Sequence, residues 1–233
     1  MKNFIHTCMC LLLVVVGLSC KKNTTTTNPD TVKDIDGNVY KTVKIGNQTW
    51  MTSDLRTTKY RFGEKIAHVP DGDIWITLIN GAYQDPTFPN KLEYGNFYNW
   101  YAVNDPRNIA PVGWHVATDA DFTELANFLG GNSIAGNKLK EAGFTHWNYT
   151  NAGTNESGFT ALDGGFVSGK YGGGITPGQS YFVWTSTLDP NTNYPIVYSI
   201  QFDKPEFNKL ISNVIESNVE PKRHGCAVRC VKD

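Results

Sequence analysis

The chain has 233 residues, with 21 lysines and arginines against 22 aspartates and glutamates, 12% aromatic residues and 22 glycines. Because the charge is nearly balanced, no basic stripe exists to neutralise phosphates, which argues against a nucleic-acid partner. The length and the glycine and aromatic content favour one loop-rich, well-packed domain. The sequence has no internal repeat of fixed period, which argues against a solenoid or a propeller.

The first 19 residues resemble a secretory signal peptide. Lys2 precedes an apolar run over residues 8–18, which is shorter than the roughly 20 residues needed to span a bilayer. The GLSC segment at residues 17–20 resembles a bacterial lipobox, so we expect cleavage after residue 19 and a lipid on Cys20. A plain signal peptide with an incidental cysteine is the alternative. We therefore expect a cell-envelope protein that its lipid anchors in the outer membrane.

The next segment, residues 20–31, is polar and low in complexity. Such a composition offers too little apolar surface to offset the entropy lost on ordering, so it predicts a flexible tether. Residues 32–233 contain no second linker, which predicts a single domain.

A β-hairpin is predicted at the start of this domain. Residues 39–45 alternate in polarity, Gly46 and Asn47 are turn residues, and residues 48–51 form the partner strand. The preceding segment DIDGN, residues 34–38, is similar to the beginning of a calcium loop but lacks the downstream glutamate. A turn is therefore favoured; calcium stays possible, and we expect no cofactor.

The stretch GWHVATDADFTELANFLGG, residues 113–131, predicts the best-defined helix. Thr118 or Asp119 can cap its start, and Gly130 supplies the left-handed residue that ends it. Apolar residues recur between these points at helical spacing, which predicts a surface helix with one buried face. These residues are Phe122, Leu125, Ala126, Phe128 and Leu129. A second, weaker helix is predicted over residues 134–141.

The rest of the domain predicts short strands and long loops. Residues 60–95 are irregular, with a helical turn or strand at 74–78, and EYGNFYNWYAV at residues 93–103 predicts a buried strand or aromatic core segment. Residues 181–186, 196–202 and 227–231 predict the strands of a terminal antiparallel meander. The fold class is therefore α+β, with a small antiparallel sheet, one or two helices and long irregular loops.

Two cysteines, Cys226 and Cys230, belong to the predicted domain. Four residues along a strand separate them by about 13 Å, beyond the roughly 7 Å limit for a disulfide. We expect buried thiols. A zinc site that includes His224 is the alternative, and it lacks an identifiable fourth ligand.

Ordered motifs over residues 34–233 resemble the Fibrobacter succinogenes major paralogous domain, common in envelope lipoproteins of Bacteroidetes and Fibrobacteres. The motifs are DIDGNVYKTVKIGNQTWM, YGNFYNWYAV, PVGWHVATDADFTELANFLGG, KLKEAG, HWN, TNESGFTALDGGF, WTST and AVRCVKD. The resemblance implies a C-type-lectin-like fold, in which the chain ends pair in a small twisted sheet beside two helices.

The resemblance also implies structural roles for single residues. Trp114 is expected to enter the core, and members often carry a cysteine at the position of Ala110, where it would be the partner of Cys230. With alanine there, that bond is lost and Cys230 is expected to be reduced. The residues of the family-like motifs with expected structural roles are Trp114, Glu156, Trp184 and Cys230.

No complete catalytic signature is present, neither G-x-S-x-G nor G-x-x-x-x-G-K-[ST] nor H-E-x-x-H, so we expect no enzyme activity. Lectin-like domains present variable loops on a rigid base, which favours binding of a glycan or surface polymer. A protein-interaction or structural role in the envelope is the alternative. The candidate ligand-binding residues, unless they are core residues, are Trp75, Tyr83, Tyr171 and Tyr181.

Overall fold

The computed structural model describes residues 30–86, 91–147, 150–175 and 178–233. Cys20, the predicted signal peptide and nearly all of the predicted tether lie outside these residues. Within the described ranges, no helix is both long enough and apolar enough to cross a bilayer.

A five-stranded sheet joins the N-terminal hairpin to the C-terminal strand. Its strands are β1 (Thr31–Lys33), β2 (Val39–Ile45), β3 (Gln48–Met51), β7 (Trp114–Val116) and β14 (Cys230–Lys232). They run in the order β1-β2-β3-β14-β7, and all neighbours are antiparallel. The predicted hairpin is confirmed: Val43 pairs with Trp50, and Gly46 takes a positive φ of 60° in the turn.

A nine-stranded sheet forms the rest of the β-structure. Its remaining strands are β4 (Ala67–His68), β5 (Ala82–Gln84), β6 (Phe97–Asn99), β8 (Gly164–Val167), β9 (Gly174–Ile175), β10 (Ser180–Leu188), β11 (Pro195–Gln201), β12 (Asn208–Ile211) and β13 (Gly225–Cys226). The order is β12-β11-β10-β8-β13-β6-β5-β4, with β9 paired to β8. The fold is α+β with most regular structure in sheets, and the sheets are larger than the small one expected.

The predicted terminal meander is only partly right. Its first two strands are β10 and β11, which pair antiparallel, but the third neighbour is β12 and not the C-terminal strand. The chain end crosses to the other sheet, where Cys230 pairs with Val116 and Val231 with Trp50. Alternating polarity identifies a strand, whereas its partner depends on contacts made far away in the chain.

In the described residues, five short α-helices lie between the strands. They are α1 (Gly72–Trp75), α2 (Lys91–Tyr94), α3 (Trp100–Val103), α4 (Asp119–Phe128) and α5 (Asn132–Leu139). The two predicted helices are α4 and α5. Thr118 caps α4 in a reciprocal capping box with Asp121, and Gly130 follows with φ 100°. The apolar face is as predicted except for Phe128, which is 62% exposed.

The core contains large aromatic residues from both sheets. Trp50 of β3 stacks on Phe122 of α4 with ring centroids 5.2 Å apart, which packs the helix against the five-stranded sheet. Cys226 and Cys230 are buried and free, as expected, and burial raises the pKa of both thiols. Ala110 belongs to the same core cluster as Cys230.

Candidate binding site

A cavity of about 460 Å³ lies where β10 begins and β11 ends; we call it the aromatic recess. Register places Ser180 opposite Gln201 and Phe182 opposite Ser199. Because alternate residues of paired strands share a face, Ser180, Phe182 and Gln201 all point to one side of the sheet. The lining residues are Phe166, Gln179, Ser180, Phe182, Gln201, Phe202, Asp203 and Lys204.

The recess combines aromatic walls with a polar rim. The rings of Phe166 and Phe182 lie 5.0 Å apart at 65°, so they form an angled wall and not a flat platform. Phe182 and Phe202 are half-buried, whereas Gln179 and Gln201 are exposed. Such a surface can pack against the C–H faces of a sugar ring while the amides bond to its hydroxyls.

Lys140, at the end of α5, fixes the turn that carries one side of the recess. Its Nζ donates to the carbonyl oxygens of Gln201, Phe202 and Lys204 at 3.1, 3.0 and 3.0 Å. Burial lowers the pKa of Lys140 to about 8. Three carbonyl acceptors use all three N–H groups of the ammonium form, so the charged side chain positions the rim.

Two of the four predicted ligand-binding aromatics are core residues. Trp75 is fully buried and its Nε1 donates to the Arg223 carbonyl at 2.7 Å. Tyr181 is buried and its hydroxyl donates to Asp54 at 2.7 Å. For these two the alternative that they are core residues holds, and for Tyr181 the reason is strand alternation, which turns it inward and its neighbour Phe182 outward.

The other two predicted aromatics lie in different places. Tyr83 is 7% exposed and stacks on the half-exposed ring of His68, with centroids 4.9 Å apart, beside a separate cavity of about 500 Å³. Tyr171 is 66% exposed in the loop after β8. The structure therefore does not bring Trp75, Tyr83, Tyr171 and Tyr181 together in one site.

Of the four residues with expected structural roles, three lie in one core cluster and Glu156 lies apart from them. Trp114 and Trp184 are buried, and the Trp184 indole donates to the Tyr98 carbonyl at 2.8 Å. Cys230 is buried in the same core cluster as both tryptophans. Glu156 is different, because its carboxylate lies at the surface and pairs with Lys138 at 2.8 Å.

A further cavity, of about 350 Å³, is lined mainly by polar and charged residues; we call it the polar cleft. It is lined by Thr52, Ser53, Asp54, Arg56, Glu93, Glu141, His146, Thr160, Leu162 and Arg229. The Arg229 guanidinium is fully buried and its Nε donates to Asp54 at 2.7 Å. Burial acts to lower the pKa of Arg229, but the Asp54 carboxylate outweighs this effect and the pKa is raised.

His146 connects two carboxylates of the polar cleft. Its Nδ1 lies 2.8 Å from Glu141 and its Nε2 lies 2.7 Å from Glu93. Burial acts to lower the pKa of His146, but the two hydrogen bonds outweigh it and the pKa is raised. The Tyr94 ring packs edge-on against the imidazole, and the Tyr94 hydroxyl donates to Asp163. Burial raises the pKa of Asp163 to about 6.

The DIDGN segment forms the predicted turn. Asp34 accepts from the backbone N–H groups of Asp36 and Asn38, and its other oxygen accepts from the Tyr40 hydroxyl. Its carboxylate is thus used to hold the turn. Across the described residues, no group of three or more His, Cys, Asp or Glu side chains has the geometry of a metal site.

Comparison with known families gives one result. The family model described as the Fibrobacter succinogenes major domain matches residues 43–232. The chain belongs to this family. Searches of curated proteins and of solved structures returned no significant match. The matched range covers the aromatic recess and the polar cleft, so both are features of the family domain in this chain.

Sequence reasoning missed the residues of both cavities. The sequence predicts strands that contain Phe182 and Phe202 but no binding role for them, and it predicts no role for Arg229 within the strand at residues 227–231. One signal was available for the recess: Gln201 ends a buried strand and Asp203 and Lys204 come soon after it, which marks the strand end as a polar rim. No comparable signal exists for Arg229, because its partner Asp54 is 175 residues away.

Proposed function

We propose that this domain binds a glycan or surface polymer at the aromatic recess and has no catalytic role. The observation that supports this is the aromatic wall of Phe166, Phe182 and Phe202 beside the exposed amides of Gln179 and Gln201. Sugars offer apolar C–H faces and hydroxyl edges, which match these two kinds of surface.

A glycan array and a polysaccharide pull-down with the full-length chain, with and without calcium, test this proposal. We expect specific binding that Phe202→Ala weakens about tenfold, because one ring contact of roughly 1.5 kcal/mol is lost. Phe62→Ala is the matched control, since Phe62 is 80% exposed and does not line the recess.

Tyr171→Ala separates the recess from the exposed loop after β8. Loss of binding in Tyr171→Ala but not in Phe202→Ala would move the site to that loop. Failure of the folded chain to bind any glycan would reject a glycan ligand.

A protein partner is the second candidate function. Val112 is 76% exposed and Ile35 is 48% exposed, and both line a cavity of about 190 Å³. This cavity is smaller than the roughly 300–1,000 Å³ of small-molecule sites and suits a single apolar side chain of a partner. Crosslinking from this surface in cells, with Val112→Glu as the disrupting variant, would identify such a partner.

We further propose that Cys20 carries a lipid that anchors the domain in the cell envelope, at the outer membrane. The support is the lipobox-like GLSC segment followed by a polar tether. Membrane fractionation tests it: Cys20→Ser should move the chain from the membrane fraction to the soluble fraction. Equal membrane association of both chains would contradict a lipid on Cys20.

For the architecture, we propose the C-type-lectin-like arrangement. Its support is the pairing of β14 with β3, which brings both ends of the domain into one sheet, and the position of α4 beside that sheet. An experimental structure should superimpose on lectin-like domains over the terminal-strand sheet and both longer helices. Superposition of the sheet alone would reject the assignment.

A further inference from the structure

The polar cleft is a separate feature from the aromatic recess, since the two share no lining residue. Its cavity of about 350 Å³ lies at the lower end of the range for small-molecule sites, roughly 300–1,000 Å³. A molecule the size of one sugar unit fits this volume.

Arg229 supplies an unused hydrogen-bond donor at the wall of the cleft. Its Nε donates to Asp54 and its Nη1 to the carbonyls of Met51 and Phe159. Nη2 has no hydrogen-bond partner among the described residues, although it is buried. A buried donor without a partner is unfavourable, so an acceptor oxygen placed beside it is bound strongly.

A second arginine, Arg56, lines the same cleft. Its Nε donates to the Asn38 side chain and its Nη2 to the Val39 carbonyl, and it lies 5.0 Å from the centre of the Tyr40 ring. These contacts hold it in place. Two fixed guanidinium groups in one cavity favour a carboxylate, which accepts paired N–H donors.

The remaining polar walls suit hydroxyl groups. Glu93 and Glu141 offer acceptor oxygens, and each uses one oxygen in its bond to His146. A carboxylate beside each imidazole nitrogen favours the protonated form of His146, whose charge offsets part of the glutamate charge. The glutamates can therefore accept from ligand hydroxyls without excluding an anionic ligand.

From these contacts we propose that the polar cleft binds a hydroxylated carboxylate, a sugar acid. Its carboxylate bonds to Arg229 Nη2 and to Arg56, and its hydroxyls donate to Glu93 and Glu141. Because Arg229 is fully buried, the ligand reaches Nη2 by displacing a neighbouring side chain of the cleft. The proposal does not depend on glycan binding at the recess.

The test compares D-galacturonate with D-galactose, which differ in the carboxylate that the two arginines would bind. Nitrogen-15 NMR of arginine side chains in the full-length chain monitors the site, with Arg229→Lys used to assign the Arg229 signals. We expect galacturonate to shift the Arg229 and Arg56 signals and galactose to leave them unchanged. Unshifted signals at saturating galacturonate, or equal shifts with both sugars, would overturn the proposal.

Three variants locate the binding. Arg56→Gln should weaken galacturonate binding about tenfold through the lost charge-assisted hydrogen bond. Arg107→Gln is the matched control, because Arg107 pairs with Asp105 outside the cleft. Phe202→Ala, in the recess, should leave galacturonate affinity unchanged. An effect of Phe202→Ala equal to that of Arg56→Gln would place the sugar acid in the recess and reject the cleft.

Discussion

Arg229 and Asp54 form a buried ion pair, with relative exposures of 0% and 4%. The Tyr181 hydroxyl donates to the same Asp54 oxygen, so three residues far apart in the chain share one network. Such a pair is costly to desolvate, but removal of one partner is worse because the other charge is left buried and alone.

Arg229→Met should therefore lower the free energy of unfolding by about 3–5 kcal/mol. Urea denaturation monitored by tryptophan fluorescence measures it. Arg107→Met, which removes the 45% exposed partner of a pair at the surface, should change stability by less than about 1 kcal/mol. Similar losses in both variants would show that burial of the pair has no special energetic consequence.

His115 predicts a pH dependence of stability. Hydrogen bonds to Asp121 at 3.1 Å and Asp233 at 2.7 Å raise its pKa to about 9 in the folded chain. Since this lies above the unfolded value near 6.5, the stabilisation is complete below pH 6.5 and is lost as pH rises through about 9.

The melting temperature should therefore fall more between these two pH values in the native chain than in His115→Gln. The side chain is 35% exposed, so solvent screening limits the difference to about 0.5 kcal/mol. Parallel melting curves for both chains would assign the pH dependence to other groups.

At the scale of elements, α5 and the turn after β11 act together through Lys140. Its three carbonyl bonds hold residues 201–204, which form one side of the aromatic recess. Lys140→Met removes these bonds while keeping the aliphatic length, so we expect glycan affinity to fall although Lys140 does not line the recess.

The pH dependence of glycan affinity distinguishes this positioning role from general destabilisation. Burial lowers the Lys140 pKa to about 8, and the neutral amine has only two N–H groups for three carbonyls. Native affinity should decline as pH rises through about 8, and Lys140→Met should lack this decline. The same decline in both chains would exclude Lys140 as its source.

The elements that the sequence predicted correctly are those with local signals. The β2–β3 hairpin has a turn glycine between alternating strands, and α4 has a capping box at Thr118 and a glycine after its end. The short helices α1 and α3 have N-cap side chains, Asp71 and Asn99, but each extends over only four residues, too few for a helical apolar pattern. Trp100 to Val103 reads as a continuous apolar strand, but the Asn99 side chain caps the segment as a helical turn.

For the whole molecule, β14 is the strand that completes the five-stranded sheet between β3 and β7. Deletion of residues 230–233 would expose the edges of both neighbours and remove Cys230 and Val231 from the core. We expect the shortened chain to lose cooperative thermal unfolding. Val231→Ala is a milder companion variant and should cost about 1–3 kcal/mol. A cooperative transition in the shortened chain would show that the second sheet folds alone.

The sequence by itself determined the hairpin, the two longer helices, the free buried thiols and the family, because these depend on residues close together or on ordered motifs. The positions and lining residues of the aromatic recess and the polar cleft follow only from the tertiary structure. Strand register turned Phe182 outward and Tyr181 inward, and the crossing of the chain end between sheets brought Arg229 to Asp54. Periodicity reports which face a residue takes relative to its neighbours, whereas a binding cavity depends on which distant faces are packed together.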